Sequence, residues 1–249
     1  MILSIKNLSK IYEKKKFFSN EKKEVLKNIN FEVKKGEIFS IIGQSGVGKS
    51  TIGKIILGIE RESSGEIKFL GKSLSEREKK DIQMIFQDPY SSLNPAMKIK
   101  DILAEPIKAN ERLNKKEIRS RIVNIIKEVG LSEEYLDKYP NELSGGQRQR
   151  VVIGCAMILR PKLVVCDEPV ASLDLRVQKQ ILDLIKKFNK KYGITFIFIS
   201  HDLGVVYNIS DRVMLLYKGE IQEIREIEDF FLAPKSEYGK YLLQGIKVN

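Results

Sequence analysis

The sequence predicts an α/β protein, a mostly parallel sheet with helices around it and a helical block inserted into it. Three observations predict this. Short β-rich runs alternate with helical patterns along most of the chain. A glycine-rich loop, GQSGVGKST at 43–51, joins a strand-like run to a helix. From about Asp88 to Leu159 strands are missing and helical patterns follow one another.

The elements are expected in this order. Residues 2–6, 24–33 and 65–70 read as strands of an N-terminal sheet. GEIFSIIG, 36–43, is a buried strand entering the glycine loop, and KSTIGKIILGI, 49–59, is the helix leaving it. IQMIF, 82–86, is a further strand. DILAEPIKAN at 101–110, KKEIRSRIVNIIKEVG at 115–130 and the run after Gly145-Gly146 have helical spacing. LVVCD at 163–167, ITFIFIS at 194–200 and RVMLLYKGE at 212–220 return to strand, with a helix over 175–191. At 249 residues, with neither internal repeat nor low-complexity linker, the chain is expected to form one large domain or two unequal ones, and reads as a single domain. Its α/β core would take 1–87 and 161–230, the helical block 88–160, and a short tail 231–249.

Hydrophobic content of 42% and charged content of 31% describe a soluble globular chain with material for a core. The apolar runs, VVIGCAMIL at 151–159 among the longest, fall short of the ~20 residues a bilayer requires. The N-terminus lacks the basic leader and apolar stretch of a secretory signal, so a membrane role is expected to come through a partner. Cys155 and Cys166 sit in apolar runs and read as buried free thiols of a reducing cytoplasm. The net charge of +11 is spread along the chain without an aromatic ladder, so it reads as ordinary surface charge and decides neither for nucleic acid nor for an anionic membrane; no nucleic-acid partner is expected.

Gly43, Gly48, Lys49 and Ser50 match G-x-x-x-x-G-K-[ST] between a strand and a helix. Backbone amides of Gln44, Ser45, Gly46 and Thr51 and the helix N-terminus would cradle the phosphates of a nucleotide. Lys49 would reach the β- and γ-phosphates, and the Ser50 hydroxyl would ligate Mg²⁺. Such a loop needs an acidic partner, and LVVCDEP supplies one: Asp167 for the metal shell, Glu168 to orient or deprotonate water. A second anion-shaped device lies in NELSGGQRQRVV, 141–152, where Ser144, Gly145, Gly146 and Gln147 open a helix. A spare anion site in a chain with one phosphate loop makes sense if it acts on a neighbouring copy. Arg148 and Arg150 read as a solvated face of that helix.

With LSGGQ at 143–147 the chain resembles the nucleotide-binding subunits of ATP-binding cassette transporters over nearly its whole length. GQSGVGKST, FQDP, LSGGQRQR, LVVCDEP, SLD and SHD occur in that family's order. The resemblance implies a P-loop NTPase core of RecA-like form, an N-terminal antiparallel β subdomain and a helical signature subdomain. It implies a head-to-tail dimer in which Ser144 and Gly146 of one copy cap the γ-phosphate held by the other. His201 would contact the γ-phosphate, Gln87 would reach Mg²⁺ and water while its loop touches the membrane subunit, and Asp174 would link the two sites. Tyr12 sits where family members place a ring under adenine. FQDPYSSLNP, DEPVASLDLRVQKQIL and the tail FLAPKSEYGKYLL are similar to the importer branch for oligopeptides, dipeptides and nickel. The resemblance thus implies separate permease subunits, an identical or homologous second ATPase, an extracytoplasmic substrate-binding protein and a place on the cytoplasmic membrane face. The alternative is a soluble ATPase of the same architecture acting on DNA or ribosomes.

Overall fold

The first β-rich runs pair as antiparallel strands. β1 (Leu3–Lys16) lies between β2 (Ser19–Val33) and β4 (Ser64–Phe69), and β5 (Lys72–Ser73) extends the edge, in the order β2-β1-β4-β5. The register sets Leu3 opposite Val33 and Phe69, and Ile5 opposite Phe31 and Ile67. All six are buried, as period-two alternation requires of one face. These strands belong to a compact unit of Met1–Arg77 with Thr195–Asn249; a second unit comprises Glu78–Ile194. The structure, a computed structural model, describes residues 1–16, 19–88 and 92–244. The parts of KKKFFSNEKK, FQDPYSSLNP and the tail that fall on Phe17, Phe18, Pro89, Tyr90, Ser91 and 245–249 lie outside the described residues.

The first unit also holds a parallel sheet. β3 (Ile38–Ile42) lies between β8 (Thr195–Ile199) and β9 (Arg212–Tyr217), parallel to both. Every residue of β3 and β8 is buried, which is why these strands read as near-continuous apolar runs. RVMLLYKGE, expected as one strand, instead turns at Lys218 and Gly219, both at positive φ (49° and 81°). That two-residue turn sends β10 (Glu220–Glu226) back antiparallel to β9. Helix α1 (Lys49–Ile56) follows the glycine loop and ends before Gly58, whose φ of 69° stops it short of the expected residue 59.

The second unit pairs β6 (Ile82–Ile85) with β7 (Leu163–Asp167) in parallel. Its helices are α2 (Ile99–Asn110), α3 (Lys115–Glu128), α4 (Gly145–Met157) and α5 (Leu175–Tyr192). Asn114 and Glu117 form a reciprocal cap on α3 at 3.0 and 2.8 Å. A Cβ on Gly154 of α4 would lie 3.3 Å from Leu103 of α2 and 3.8 Å from Ile125 of α3, so the three helices meet closely there. Helix α5 buries Ile181, Leu184, Ile185 and Phe188, the 3–4–7 spacing of one face, and ends at Gly193 in the left-handed region. In the first unit α6 (Leu203–Ile209), α7 (Ile227–Leu232) and α8 (Glu237–Leu243) complete the described fold. Among the described residues no helix is long and apolar enough to cross a membrane.

Candidate active site

In the first unit the phosphate loop leaves the C-terminal end of β3. Gly43 has a φ of 148°, and a Cβ there would stand 2.2 Å from the Leu216 carbonyl oxygen. Gly48, at φ 111°, caps α1, and its Cβ would stand 2.6 Å from Leu26. Only glycine fits at either position. Gly48 provides no side-chain cap to α1, whose N-terminus opens directly from the loop. Lys49 is buried, its Nζ donating to the carbonyls of Gly43 (2.7 Å) and Gln44 (2.9 Å). Gln44, Ser45, Gly46 and Ser50 are exposed. His201, also exposed, follows β8, and the Ser200 amide donates to Ile41 O at 3.4 Å. The loop and His201 therefore emerge at the same end of two neighbouring parallel strands, where open α/β sheets bind ligands.

Tyr12 stands on β1 with its hydroxyl donating to the Glu60 carboxylate. Burial first, and the Glu60 bond second, push its phenol above the ordinary value.

The second unit repeats the arrangement with β6 and β7. Ile85 pairs with Cys166, so Gln87 and the Asp167-Glu168 pair leave adjacent strand ends. Gln87 Nε2 donates to Glu168 Oε2 at 3.2 Å. Glu168 has a φ of 49°, a left-handed backbone costing a glutamate on the order of 1–3 kcal/mol, the kind of local strain that collects at functional sites. The turn is held by Ala171 N–H on Glu168 O (3.3 Å) and Leu173 N–H on Val170 O (3.2 Å). Asp174 ends it by capping α5, accepting from Val177 N–H at 3.0 Å.

Ser144 opens α4 with a capping box. Its amide donates to Gln147 Oε1 (2.9 Å) and its Oγ accepts from the Gln147 amide (3.4 Å). Gln147 Nε2 is anchored on the Tyr135 hydroxyl at 3.0 Å. Gly145 and Gly146 are the first helical residues, and their missing side chains leave room for Leu173 and Val177 beside α5.

The ABC transporter family matches residues 26–171. The chain belongs to the ABC transporter family. This ABC cassette is 44% identical over 233 residues to the oligopeptide transport ATP-binding protein AmiF of Streptococcus pneumoniae, covering 90% of this chain and 75% of the relative. It is 39% identical over 251 residues to the dipeptide transport ATP-binding protein DppF of Haemophilus influenzae, covering 97% and 77%. In structure it is similar to the dimeric ATP-binding cassette MJ0796 bound to ADP and Pi, with a TM-score of 0.80, 30% identity and coverage of 91% and 99%. It also matches cbiO1 of Clostridium perfringens, part of the ABC transporter complex cbiONQ, with a TM-score of 0.80, 32% identity and coverage of 93% and 91%. The α/β P-loop NTPase fold is thereby established, and the cassette is an ATP-binding ATPase.

Two residues of this ABC cassette correct the sequence reading. Arg148 is not on a solvated face: it is buried, and its Nη1 donates to Pro140 O at 3.0 Å. Arg150 reaches Val129 O at 2.7 Å and Gln180 Oε1 at 2.9 Å. Both guanidiniums tie the signature helix to neighbouring backbone and side chains. Gln178 escaped sequence reasoning altogether. Its Nε2 donates to Val170 O (3.2 Å) and Leu173 O (3.1 Å), pinning the turn that carries Glu168 from one helical turn into α5. Both thiols are free; Cys166 is buried as expected, whereas Cys155 is half-buried, and burial pushes its thiol up to about 12.

Proposed function

We propose that this cassette is the ATP-hydrolysing subunit of an importer for peptides, acting at the cytoplasmic face of a membrane through separate permease subunits. Peptides are favoured over nickel or metal chelates because the relatives above are named for oligopeptide and dipeptide transport. The observation that carries the catalytic part is the Gln87 amide on the Glu168 carboxylate. It joins the residue assigned to water activation to the loop assigned to the permease, which suits a transport motor better than an ATPase acting on DNA or ribosomes.

In this reading Lys49 and the amides of Gly43, Gln44, Ser45, Gly46, Gly48, Ser50 and Thr51 hold the ATP phosphates. Ser50, Gln87 and Asp167 would hold Mg²⁺, which would supply neutralisation of the charge developing on the transferred phosphoryl group. The donor set fits, since all three offer hard oxygens and Gln87 already commits its nitrogen to Glu168. Glu168 takes the proton of the attacking water and His201 contacts the γ-phosphate. Ser144, Gly145, Gly146 and Gln147 serve the nucleotide of a second ATPase, identical or homologous, and Asp174 links the two sites. Tyr12 stacks on adenine. An extracytoplasmic binding protein selects the cargo.

The test is reconstitution with the permease, the partner ATPase and the adjacent binding protein. Peptide-loaded binding protein should raise ATP turnover, and Glu168→Gln should retain ATP, accumulate as a closed dimer and turn over at least ~100-fold more slowly. Near-normal turnover in that variant moves the base elsewhere. Stimulation by nickel and not by peptide overturns the cargo.

A further inference from the structure

Tyr12 is the residue assigned to the base rather than to the phosphates, and its surroundings are built around its hydroxyl. That hydroxyl donates to the Glu60 carboxylate. Glu60 follows the C-terminal end of α1, its amide donating to Lys54 O at 3.3 Å and its carboxylate 4.0 Å from Lys54 Nζ. Through Glu60 the Tyr12 ring is thus tied to the helix whose start carries the phosphate-binding amides.

A second contact restricts the ring further. Lys10 Nζ stands over it, 4.8 Å from the centroid. The ammonium is held there by Arg61 O at 2.6 Å and by Glu60 Oε2 at 3.6 Å. One face of the ring is therefore occupied, and a base can stack on the opposite face alone. A carboxylate that holds both the hydroxyl and the cation sets the plane of the ring and the face it offers.

We propose that Glu60 is a positioning residue for nucleotide binding, fixing the Tyr12 ring against α1 so that base and phosphates of one nucleotide are met together. The proposal rests on the reading of Tyr12 as the base platform. A tyrosine released from Glu60 regains rotamer freedom that the nucleotide must then remove, a cost that appears in affinity and not in the chemical step.

The experiment is a double-mutant cycle on the full chain, with ATP turnover and competition by inorganic tripolyphosphate, which has phosphates and no base. Glu60→Leu should raise the KM for ATP roughly two- to tenfold at unchanged kcat, and leave tripolyphosphate binding as it is. Tyr12→Phe should do the same, and the combined variant should be no worse than either alone. Glu60→Gln, which keeps an acceptor, should restore most of the affinity. If Tyr12→Ala raises KM while Glu60→Leu does not, the tether falls and the platform stands. If Tyr12→Ala leaves KM unchanged, the platform falls and the tether with it. Additive effects, equal loss of tripolyphosphate binding, or binding by Glu60→Gln as weak as that by Glu60→Leu also overturn the proposal.

Discussion

The two glycines that open α4 should respond oppositely to one added methyl group. A Cβ on Gly146 would lie 2.6 Å from Val177 Cγ1. Carbon atoms in good contact stand about 3.5–4.0 Å apart, so the overlap is about 1 Å. Val177 lies in α5, where a valine has essentially one χ1 rotamer and cannot swing aside cheaply. Relief must come from α4 and α5 moving apart, an overpacking cost of about 1–3 kcal/mol. Replacing a helical glycine gains up to about 1 kcal/mol, so the clash wins by roughly 1–2 kcal/mol. On Gly145 the added atom meets only Leu173 Cδ2 at 3.8 Å, ordinary contact, so the propensity gain alone should register. Thermal unfolding of the nucleotide-free chain should show Gly146→Ala about 2–8 °C lower and Gly145→Ala equal or higher, at ~2–4 °C per kcal/mol for a chain of this size. Combining Gly146→Ala with Val177→Ala should recover stability with a coupling of about 1–2 kcal/mol. Equal stability of the two alanine variants, or strictly additive effects with Val177→Ala, would refute the packing argument.

Four further outcomes are expected. Lys49→Ala should abolish detectable ATP binding by calorimetry, because its buried ammonium has no substitute at the loop; unchanged affinity would remove the phosphate-loop assignment. Gln178→Ala should unpin the turn that carries Glu168 and lower kcat about 10-fold with little change in KM, the split expected of misplacement near the chemistry; an effect on KM alone would contradict it. Iodoacetamide at pH 8 should leave Cys155 and Cys166 unmodified until urea unfolds the chain, read by mass spectrometry. For Cys155 the folded thiol keeps its proton to about pH 12 while the unfolded one loses it near 9, so this group's contribution to stability should fall as pH rises from about 9 to 12.

What could be read in advance was whatever is encoded locally. β3, β7 and β8 are buried apolar runs, and the loop Gly43–Thr51 carries its chemistry in consecutive residues. The hairpin at Lys218-Gly219 was hidden because RVMLLYKGE continues the strand composition straight through the turn. Helices α6, α7 and α8 span only six or seven residues, too few for a helical period to stand out. Arg148 and Arg150 were misread because charge in a helix suggests solvent, whereas their partners are backbone carbonyls at Pro140 and Val129 that sequence spacing does not reveal. Gln178 meets two carbonyls of an irregular turn and Glu60 meets a tyrosine 48 residues away, and neither belongs to a motif. The capping box at Ser144 is legible as Ser-x-x-Gln, the N-capped helix that is the alternative to an anion site there.

That box has a consequence for repeated turnover. The Ser144 oxygen engages the start of its own helix with a lone pair, which leaves the proton of the same group uncommitted to that bond. It can be offered to a visiting anion and withdrawn again while the helix end stays wound. At the proposed trans site, binding and release would then need no unwinding of the helix end.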